Sequence, residues 1–157
     1  GSTQTVKIPM SLKPAGSGLA EDPYLIADAS QLRWFATQVN DNGKSAICAQ
    51  LTADIDLASK EWTPIGKNYS YAYKGTFDGN GHEIKNLYVT GTTSNHYGLF
   101  GVLGAGGTIR NLTVSGRVAI TGSGNSSYGI GGIVGKGERR CGEGDSHRED
   151  CGEHRFR

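Results

Sequence analysis

Two aspartates stand where they could act as a catalytic pair. Asp54 and Asp56 flank Ile55 in a stretch of period-two alternation, so both carboxylates point to one face of the predicted strand. General acid/base hydrolysis of a polysaccharide would need another carboxylate across a sugar-sized gap, and no sequence feature supplies it. Each aspartate adjoins turn residues whose backbone N–H groups need acceptors, as does Asp78 before Gly79. We therefore expect Asp54, Asp56 and Asp78 to be structural turn or cap residues, with catalysis and calcium binding as the alternatives.

A row of aromatic residues is the best candidate for a binding face. Tyr69, Tyr71 and Tyr73 alternate in a polar stretch near Trp62, so three rings could face one side and stack on a sugar or a protein. The alternative is that one or two of the rings cover the end of the fold. Both interpretations stay open at the level of sequence.

Other chemistries lack a pattern to support them. The chain has no HExxH, GxSxG, P-loop or dinucleotide motif, and His82 and His96 have no partner at ligand spacing. Cys48, Cys141 and Cys151 form an odd set without small-scaffold spacing, so no disulfide framework is indicated and their redox state is open. We predict no catalytic residue, no metal site and no cofactor.

Composition restricts the class of partner. The 157 residues include 25 glycines, the charged fraction is 20% and the formal net charge is +1. A chain without excess positive charge is a poor ligand for nucleic acid or an anionic membrane. No apolar run approaches the roughly 18 residues that span a bilayer, so we expect no membrane insertion.

The order of elements predicts one helix followed by short strands. Residues 1–22 form a leader or linker, after which Leu32, Phe35 and Val39 recur at helical spacing and predict a capping helix at about 29–40. From Ile47 the apolar period becomes two, and Gly and Asn separate short strands as far as Gly135.

Two segments of the chain are repeated. Residues 81–91 (GHEIKNLYVTG) match residues 106–116 (GGTIRNLTVSG), and residues 97–104 (YGLFGVLG) match residues 128–135 (YGIGGIVG). The spacing between the two copies of each segment is typical of solenoid coils, which bury their apolar faces by stacking. We therefore predict an all-β parallel β-helix over residues 23–135, with roughly three coils after the capping helix.

These residues resemble a known family. The string YGLFG, the IxNLxV units and the upstream runs ADIDL, EWTPIG and GTFDGNGHEI resemble the GLUG-motif repeat proteins, which are bacterial surface and secreted proteins. The same repeats occur in non-catalytic parts of IgA-specific metallopeptidases. The resemblance covers about residues 18–135, and it implies a right-handed β-helix and an extracellular or cell-surface location without implying one activity.

The last stretch, residues 136–157, differs sharply in composition because charge dominates it. A disordered tail without strands is the expected structure, and a zinc quartet of Cys141, His147, Cys151 and His154 is disfavoured because it lacks a paired short-spacing knuckle. We also hypothesise that this tail is read out of frame. A shifted frame of residues 147–157 can encode TVKIAVNTGSV, which aligns with residues 108–118, and the nucleotide sequence would test this.

Three functions follow as hypotheses. The leading one is a non-catalytic scaffold of a secreted or cell-surface protein, used for adhesion or display toward a glycan or protein on a host or bacterial surface. The second is a carbohydrate-binding module. The third is a fragment of a larger polysaccharide-active enzyme or metallopeptidase whose catalytic part lies elsewhere. Further β-helix coils at the C-terminal end are the expected neighbours.

Overall fold

A computed structural model of the chain describes residues 13–92, 96–121, 129–130, 132–136 and 153–156. The described residues contain one α-helix, α1 at Ala29–Asn40, and a 3-10 helix at Tyr69–Tyr71. The strands are β1 Tyr24–Ile26, β2 Ala49–Leu51, β3 Ile55–Asp56, β4 Thr76–Asp78, β5 Glu83–Thr92, β6 His96–Tyr97, β7 Phe100–Val102, β8 Thr108–Arg110, β9 Thr113–Thr121, β10 Gly129–Ile130, β11 Val134–Lys136 and β12 Glu153–Phe156.

The strands form sheets by pairing across long stretches of sequence. One four-stranded sheet has the order β1-β2-β4-β8, a second has the order β12-β9-β5-β3, and β10-β6 and β11-β7 are two-stranded. All of these pairs are parallel except β12 with β9. Paired residues in the parallel sheets lie between 25 residues apart, as Tyr24 and Ala49, and 34 residues apart, as Phe100 and Val134.

The predicted fold class, an all-β right-handed parallel β-helix of about three coils, is wrong. The described strands form four separate short sheets, α1 contributes to the core, and β12 is antiparallel. The repeated motifs pair out of their sequence register, since Ile84 pairs with Val114 and not with its counterpart Ile109, which pairs with Phe77. Sequence likeness identified two copies of one local turn, with Asn86 and Asn111 both at positive φ. The first copy lies in β5, whereas the second runs from β8 in one sheet into β9, which belongs to the sheet of β5.

The helix occupies the predicted residues and packs into the core. Asp28 caps it, because its carboxylate accepts a hydrogen bond from the backbone N–H of Gln31 at 2.8 Å. Leu32, Phe35 and Val39 are fully buried, as their helical spacing requires. The hydrophobic effect of each such side chain stabilises the fold by about 1.5–3 kcal/mol.

An aromatic cluster joins the helix to the sheets. The ring of Phe35 lies edge-on to Tyr73 at 5.9 Å and to Phe77 at 5.7 Å, measured between ring centroids. Phe100 continues the cluster at 5.2 Å from both Tyr73 and Phe77. Edge-to-face pairs at these separations are favourable, so the cluster fixes how α1 sits against β4 and β7.

The structure describes part of the predicted leader, residues 1–22, and part of the predicted tail, residues 136–157. Residues 1–12 lie outside the described part, while Ala15 bridges Leu25 of β1 and so ties the end of the expected leader to the sheet. Most of the charged tail is also outside the described residues. The expectation that the tail forms no strand is wrong at β12, because backbone hydrogen bonds to the edge of β9 do not depend on apolar side chains.

Candidate functional site

The aromatic row does not form one face. Trp62 and Tyr73 are buried, with 2% and 0% of their surfaces exposed, whereas Tyr69 is 66% exposed and Tyr71 is partly exposed. The predicted alternation is wrong because Tyr69–Tyr71 forms a 3-10 helix, in which neighbouring side chains do not follow a strand's period of two. Exposed binding through Trp62 and Tyr73 is therefore excluded, and a binding role for Tyr69 and Tyr71 stays a prediction.

Trp62 and Tyr73 are held inside by hydrogen bonds as well as by packing. The indole Nε1 of Trp62 donates to the carbonyl of Leu99 at 2.9 Å. The Tyr73 hydroxyl donates to the carbonyl of Ile47 at 2.8 Å, and burial raises the pKa of this phenol. Both polar tips are thus satisfied within the core, as buried aromatic residues with polar atoms require.

Segment 67–71 contains the two tyrosines of the row that solvent can reach. The ring of Tyr69 lies edge-on to His96 with centroids 5.3 Å apart, and the ammonium of Lys67 lies 4.9 Å from the Tyr71 ring. Lys67 Nζ also lies 3.2 Å from the carboxylate of Asp41. Two aromatic rings and a cation are therefore presented together on a short, locally bonded turn.

Asn40, the last residue of α1, anchors this segment to the helix, a role that the sequence pattern did not predict. Its Nδ2 donates to the carbonyl of Pro64 at 2.8 Å, and its Oδ1 accepts from the backbone N–H groups of Gly66 at 2.9 Å and Lys67 at 3.0 Å. The side chain is buried, and its donor and acceptor are both used. A polar residue on the buried side of a helix end was the available signal for this role.

A small cleft of about 280 Å³ lies beside the segment. Its lining combines a carboxylate, an ammonium, an amide, hydroxyls and aromatic edges, from Glu61, Trp62, Thr63, Pro64, Lys67, Asn68, Thr90, His96 and Tyr97. Within it the Thr90 hydroxyl donates to the Glu61 carboxylate. Such a lining can hydrogen-bond a polar ligand, although the buried face of Trp62 cannot stack on one.

A larger cavity of about 440 Å³ lies away from the aromatic segment. It is open to solvent and is lined by Ser59, Asn86, Leu87, Tyr88, Gly116 and Arg117. The Arg117 guanidinium lies 4.7 Å from the centroid of the Tyr88 ring, which is a cation–π contact. None of the described residues that line this cavity carries a carboxylate.

Asp54 and Asp56 both accept backbone and side-chain hydrogen bonds. Asp56 Oδ1 accepts from Asn86 Nδ2 at 2.8 Å and from the backbone N–H of Ala58 at 2.7 Å, and these bonds hold the pKa of Asp56 below its ordinary value. Asp54 Oδ1 accepts from the backbone N–H of Glu83 at 3.0 Å, which is the main reason that its pKa is also lowered.

Asp78, at the end of β4, accepts the same kinds of hydrogen bond as Asp56. Its Oδ1 accepts from the backbone N–H of Asn80 at 2.8 Å and from Asn111 Nδ2 at 3.2 Å, and its Oδ2 accepts from Arg110 at 3.2 Å. Partial burial raises the pKa of Asp78, but these hydrogen bonds together outweigh it and the pKa lies below its ordinary value. A lowered pKa suits an acceptor that braces a turn and is the opposite of what a general acid needs.

The histidines and cysteines form no metal centre within the described part of the chain. His82, which the sequence leaves isolated, lies with Nδ1 3.1 Å from Asp54 Oδ1. Cys48 is buried and has a free thiol. No group of three His, Cys, Asp or Glu side chains able to hold a metal occurs among the described residues. The disfavoured quartet of Cys141, His147, Cys151 and His154 lies outside the side chains that the structure describes.

Comparison with known proteins gives two relatives. The chain is 34% identical over 108 residues, or 68% of its length, to a protein named as a Gly-rich membrane protein from Evansella cellulosilytica. It is 37% identical over 110 residues, or 63% of its length, to Halomucin from Haloquadratum walsbyi. The chain spans 12% of the first relative and 1% of the second.

The other comparisons give no match. No family model and no solved structure matches the chain, so the resemblance to GLUG-motif proteins stays a prediction. No helix among the described residues has the length and apolar character needed to cross a bilayer.

Proposed function

We propose that this chain is a non-catalytic module of a surface or membrane-associated protein, and that the exposed segment 67–71 contacts its partner. The non-catalytic assignment rests on the hydrogen bonds that the three turn carboxylates accept. Asp54, Asp56 and Asp78 are each bonded to a backbone N–H group, and each has a lowered pKa. A carboxylate that stays ionised and braces a turn is suited to holding the fold.

The relatives' names support the surface or membrane-associated part. One relative is named as a membrane protein and the other as Halomucin, and the chain spans only a small share of either. A module of this kind would work as one part of a long protein. Its parent's activity is a separate matter, and an enzyme fragment, whether polysaccharide-active or metallopeptidase, would require a catalytic region elsewhere in that parent.

The binding part rests on the segment around Tyr69. Its ring is the most exposed of the large hydrophobic side chains that the structure describes, and Lys67 and Tyr71 lie beside it. Exposed aromatic rings supply much of the affinity at binding faces, because they bury large areas with little loss of side-chain freedom. The proposed partner is a protein or glycan of a host or bacterial surface.

A carbohydrate-binding module is the second candidate, and the cleft of about 280 Å³ favours it. Glu61, Asn68 and Thr90 bring a carboxylate, an amide and a hydroxyl to that cleft, and these groups pair with sugar hydroxyls. Saccharide binding would use Tyr69 or Tyr71 for stacking, since the Trp62 ring is buried.

Binding is tested with the unmodified full chain on a glycan array and on immobilised cell surfaces. The affinity of the Tyr69→Ala, Tyr71→Ala double variant should be lower by a factor of about ten or more, since loss of a central aromatic contact costs at least about 1–2 kcal/mol. The matched control is Leu19→Ala, which removes another exposed apolar side chain that is 55% exposed. Equal loss in both variants, or loss in neither, would remove segment 67–71 from the proposal. Tyrosine-dependent binding to a purified glycan would favour the second candidate.

Catalysis is tested on a panel of polysaccharides, with and without calcium. We expect neither reducing ends nor unsaturated products. Activity that is lost in Asp54→Asn or Asp56→Asn, while the melting temperature is retained, would contradict the non-catalytic assignment.

A further inference from the structure

Three tripeptides in the chain match the acceptor pattern for N-linked glycans, Asn-X-Ser/Thr with X other than proline. They begin at Asn68, Asn111 and Asn125. The third lies outside the described residues, so the structure allows a comparison of the first two.

The tripeptide Asn68-Tyr69-Ser70 lies on the surface with a free amide nitrogen. Tyr69 and Ser70 are exposed and Asn68 is partly exposed. Asn68 Oδ1 accepts from the backbone N–H of Ser70 at 2.9 Å, while its Nδ2 donates to no other residue that the structure describes. The nitrogen that would receive a glycan and the hydroxyl that a transferase would recognise are therefore both available.

The tripeptide Asn111-Leu112-Thr113 is exposed at Asn111 and Thr113, but hydrogen bonds tie it to the neighbouring turn and strand. Asn111 Nδ2 donates to the Asp78 carboxylate at 3.2 Å, and the Asn111 carbonyl accepts from the backbone N–H of Gly81 at 3.0 Å. Thr113 begins β9 and pairs with Glu83 of β5. Binding of this tripeptide by a transferase would require those bonds to break.

We propose that Asn68 is an N-glycosylation site, and that Asn111 is not one in the folded chain. The co-substrate is an oligosaccharide linked to a polyprenol phosphate or pyrophosphate. The bond between sugar C1 and the phosphate oxygen breaks, the phosphate leaves with the electron pair, C1 bonds to Asn68 Nδ2, and one proton leaves that nitrogen for a base of the transferase. Glycosylation of Asn68 in the cell rests on the proposed surface location of the protein. The ability of the folded chain to accept a glycan at Asn68 does not.

The two sites can be read separately in one experiment. The folded, unmodified full chain is incubated with a purified archaeal oligosaccharyltransferase and its polyprenol-linked oligosaccharide, with a short acceptor peptide confirming that the enzyme is active. Cleavage after Lys and Arg then places Asn68 in peptide 68–74, Asn111 in peptide 111–117 and Asn125 in a third peptide. Mass spectrometry of the first two peptides gives the occupancy of each site.

The expected result is a mass increase of one glycan on peptide 68–74, with peptide 111–117 unchanged. Ser70→Ala should abolish the increase, although Asn68 is still present, and Asp78→Ala should make Asn111 more reactive by freeing its amide. An unmodified peptide 68–74 with active enzyme, or equal modification of both peptides in the folded chain, would overturn the proposal. These results do not depend on partner binding, which is measured with the unmodified chain.

Discussion

Replacing Asn40 by alanine should destabilise the fold strongly, although the change removes only a small polar side chain. The variant loses one bond to the Pro64 carbonyl and two from the amides of Gly66 and Lys67. At a net value of about 0.5–1.5 kcal/mol for each of these three hydrogen bonds, the free energy of unfolding should fall by about 1.5–4.5 kcal/mol. That is a large share of the roughly 5–15 kcal/mol by which such domains are stable.

The assay is urea denaturation monitored by circular dichroism, combined with hydrogen exchange of backbone amides. Asn42→Ala is the matched control, because Asn42 is exposed and its side chain donates one bond, to Gln38 at 3.0 Å. The urea midpoint should fall much further for Asn40→Ala, with an unchanged m-value. In the same variant the amides of Gly66 and Lys67 should exchange faster, since they lose their acceptor.

Two results would refute this reasoning. Equal midpoints for the Asn40 and Asn42 variants would mean that the buried bonds contribute no more than an exposed one. Unchanged exchange at Gly66 and Lys67 would mean that other contacts hold segment 67–71 in place.

The remaining predictions concern the core, a glycine and the turn carboxylates. Phe77→Ala should lower the free energy of unfolding by about 3–5 kcal/mol in urea denaturation, because it opens a cavity against the rings of Phe35 and Phe100. A loss below about 1 kcal/mol would contradict the assigned core. Gly116→Ala should lower the melting temperature much more than Gly43→Ala does. A Cβ at Gly116 meets the backbone oxygen of Leu87, whereas a Cβ at Gly43 has open space. Equal shifts in melting temperature would be inconsistent with the contact at Gly116. The turn carboxylates bind protons more readily in the unfolded chain, at their ordinary pKa of 3.8, so stability should be constant above about pH 5 and fall as the pH drops through their lowered folded pKa values. Asp78→Asn should reduce this acid sensitivity in melting curves recorded from pH 2 to 7, and an unchanged pH profile would remove Asp78 from the cause.

Local features of the fold could be predicted, because they depend on nearby residues. The spacing of Leu32, Phe35 and Val39 locates α1, and the turn-forming neighbours of Asp78 indicate the backbone bonds that it accepts. These features need only the preferences of a helix or of a turn.

Strand register could not be predicted in the same way. The resemblance of residues 81–91 to 106–116 reflects a shared turn at Asn86 and Asn111, whereas pairing depends on loop lengths and on which apolar residues meet in the core. Alternation likewise misassigned Tyr73, because the 3-10 helix before it interrupts the period of two. The role of Asn40 depends on partners 24 to 27 residues away, which no local pattern reveals.

The long separation between paired strands has a consequence for synthesis on the ribosome. Among the described residues, each parallel pair joins strands that lie 25 to 34 residues apart, and the antiparallel bridge from Ala15 to Leu25 is the one earlier neighbour of β1. At an elongation rate of about 5–20 residues per second, an emerging strand waits on the order of 1–7 seconds before its partner exists. During that interval its backbone edge is open to chaperones and to neighbouring nascent chains. Slowing translation over residues 49–78 should therefore increase the misfolded fraction more than slowing it over residues 29–40, where the bonds of α1 close within one turn.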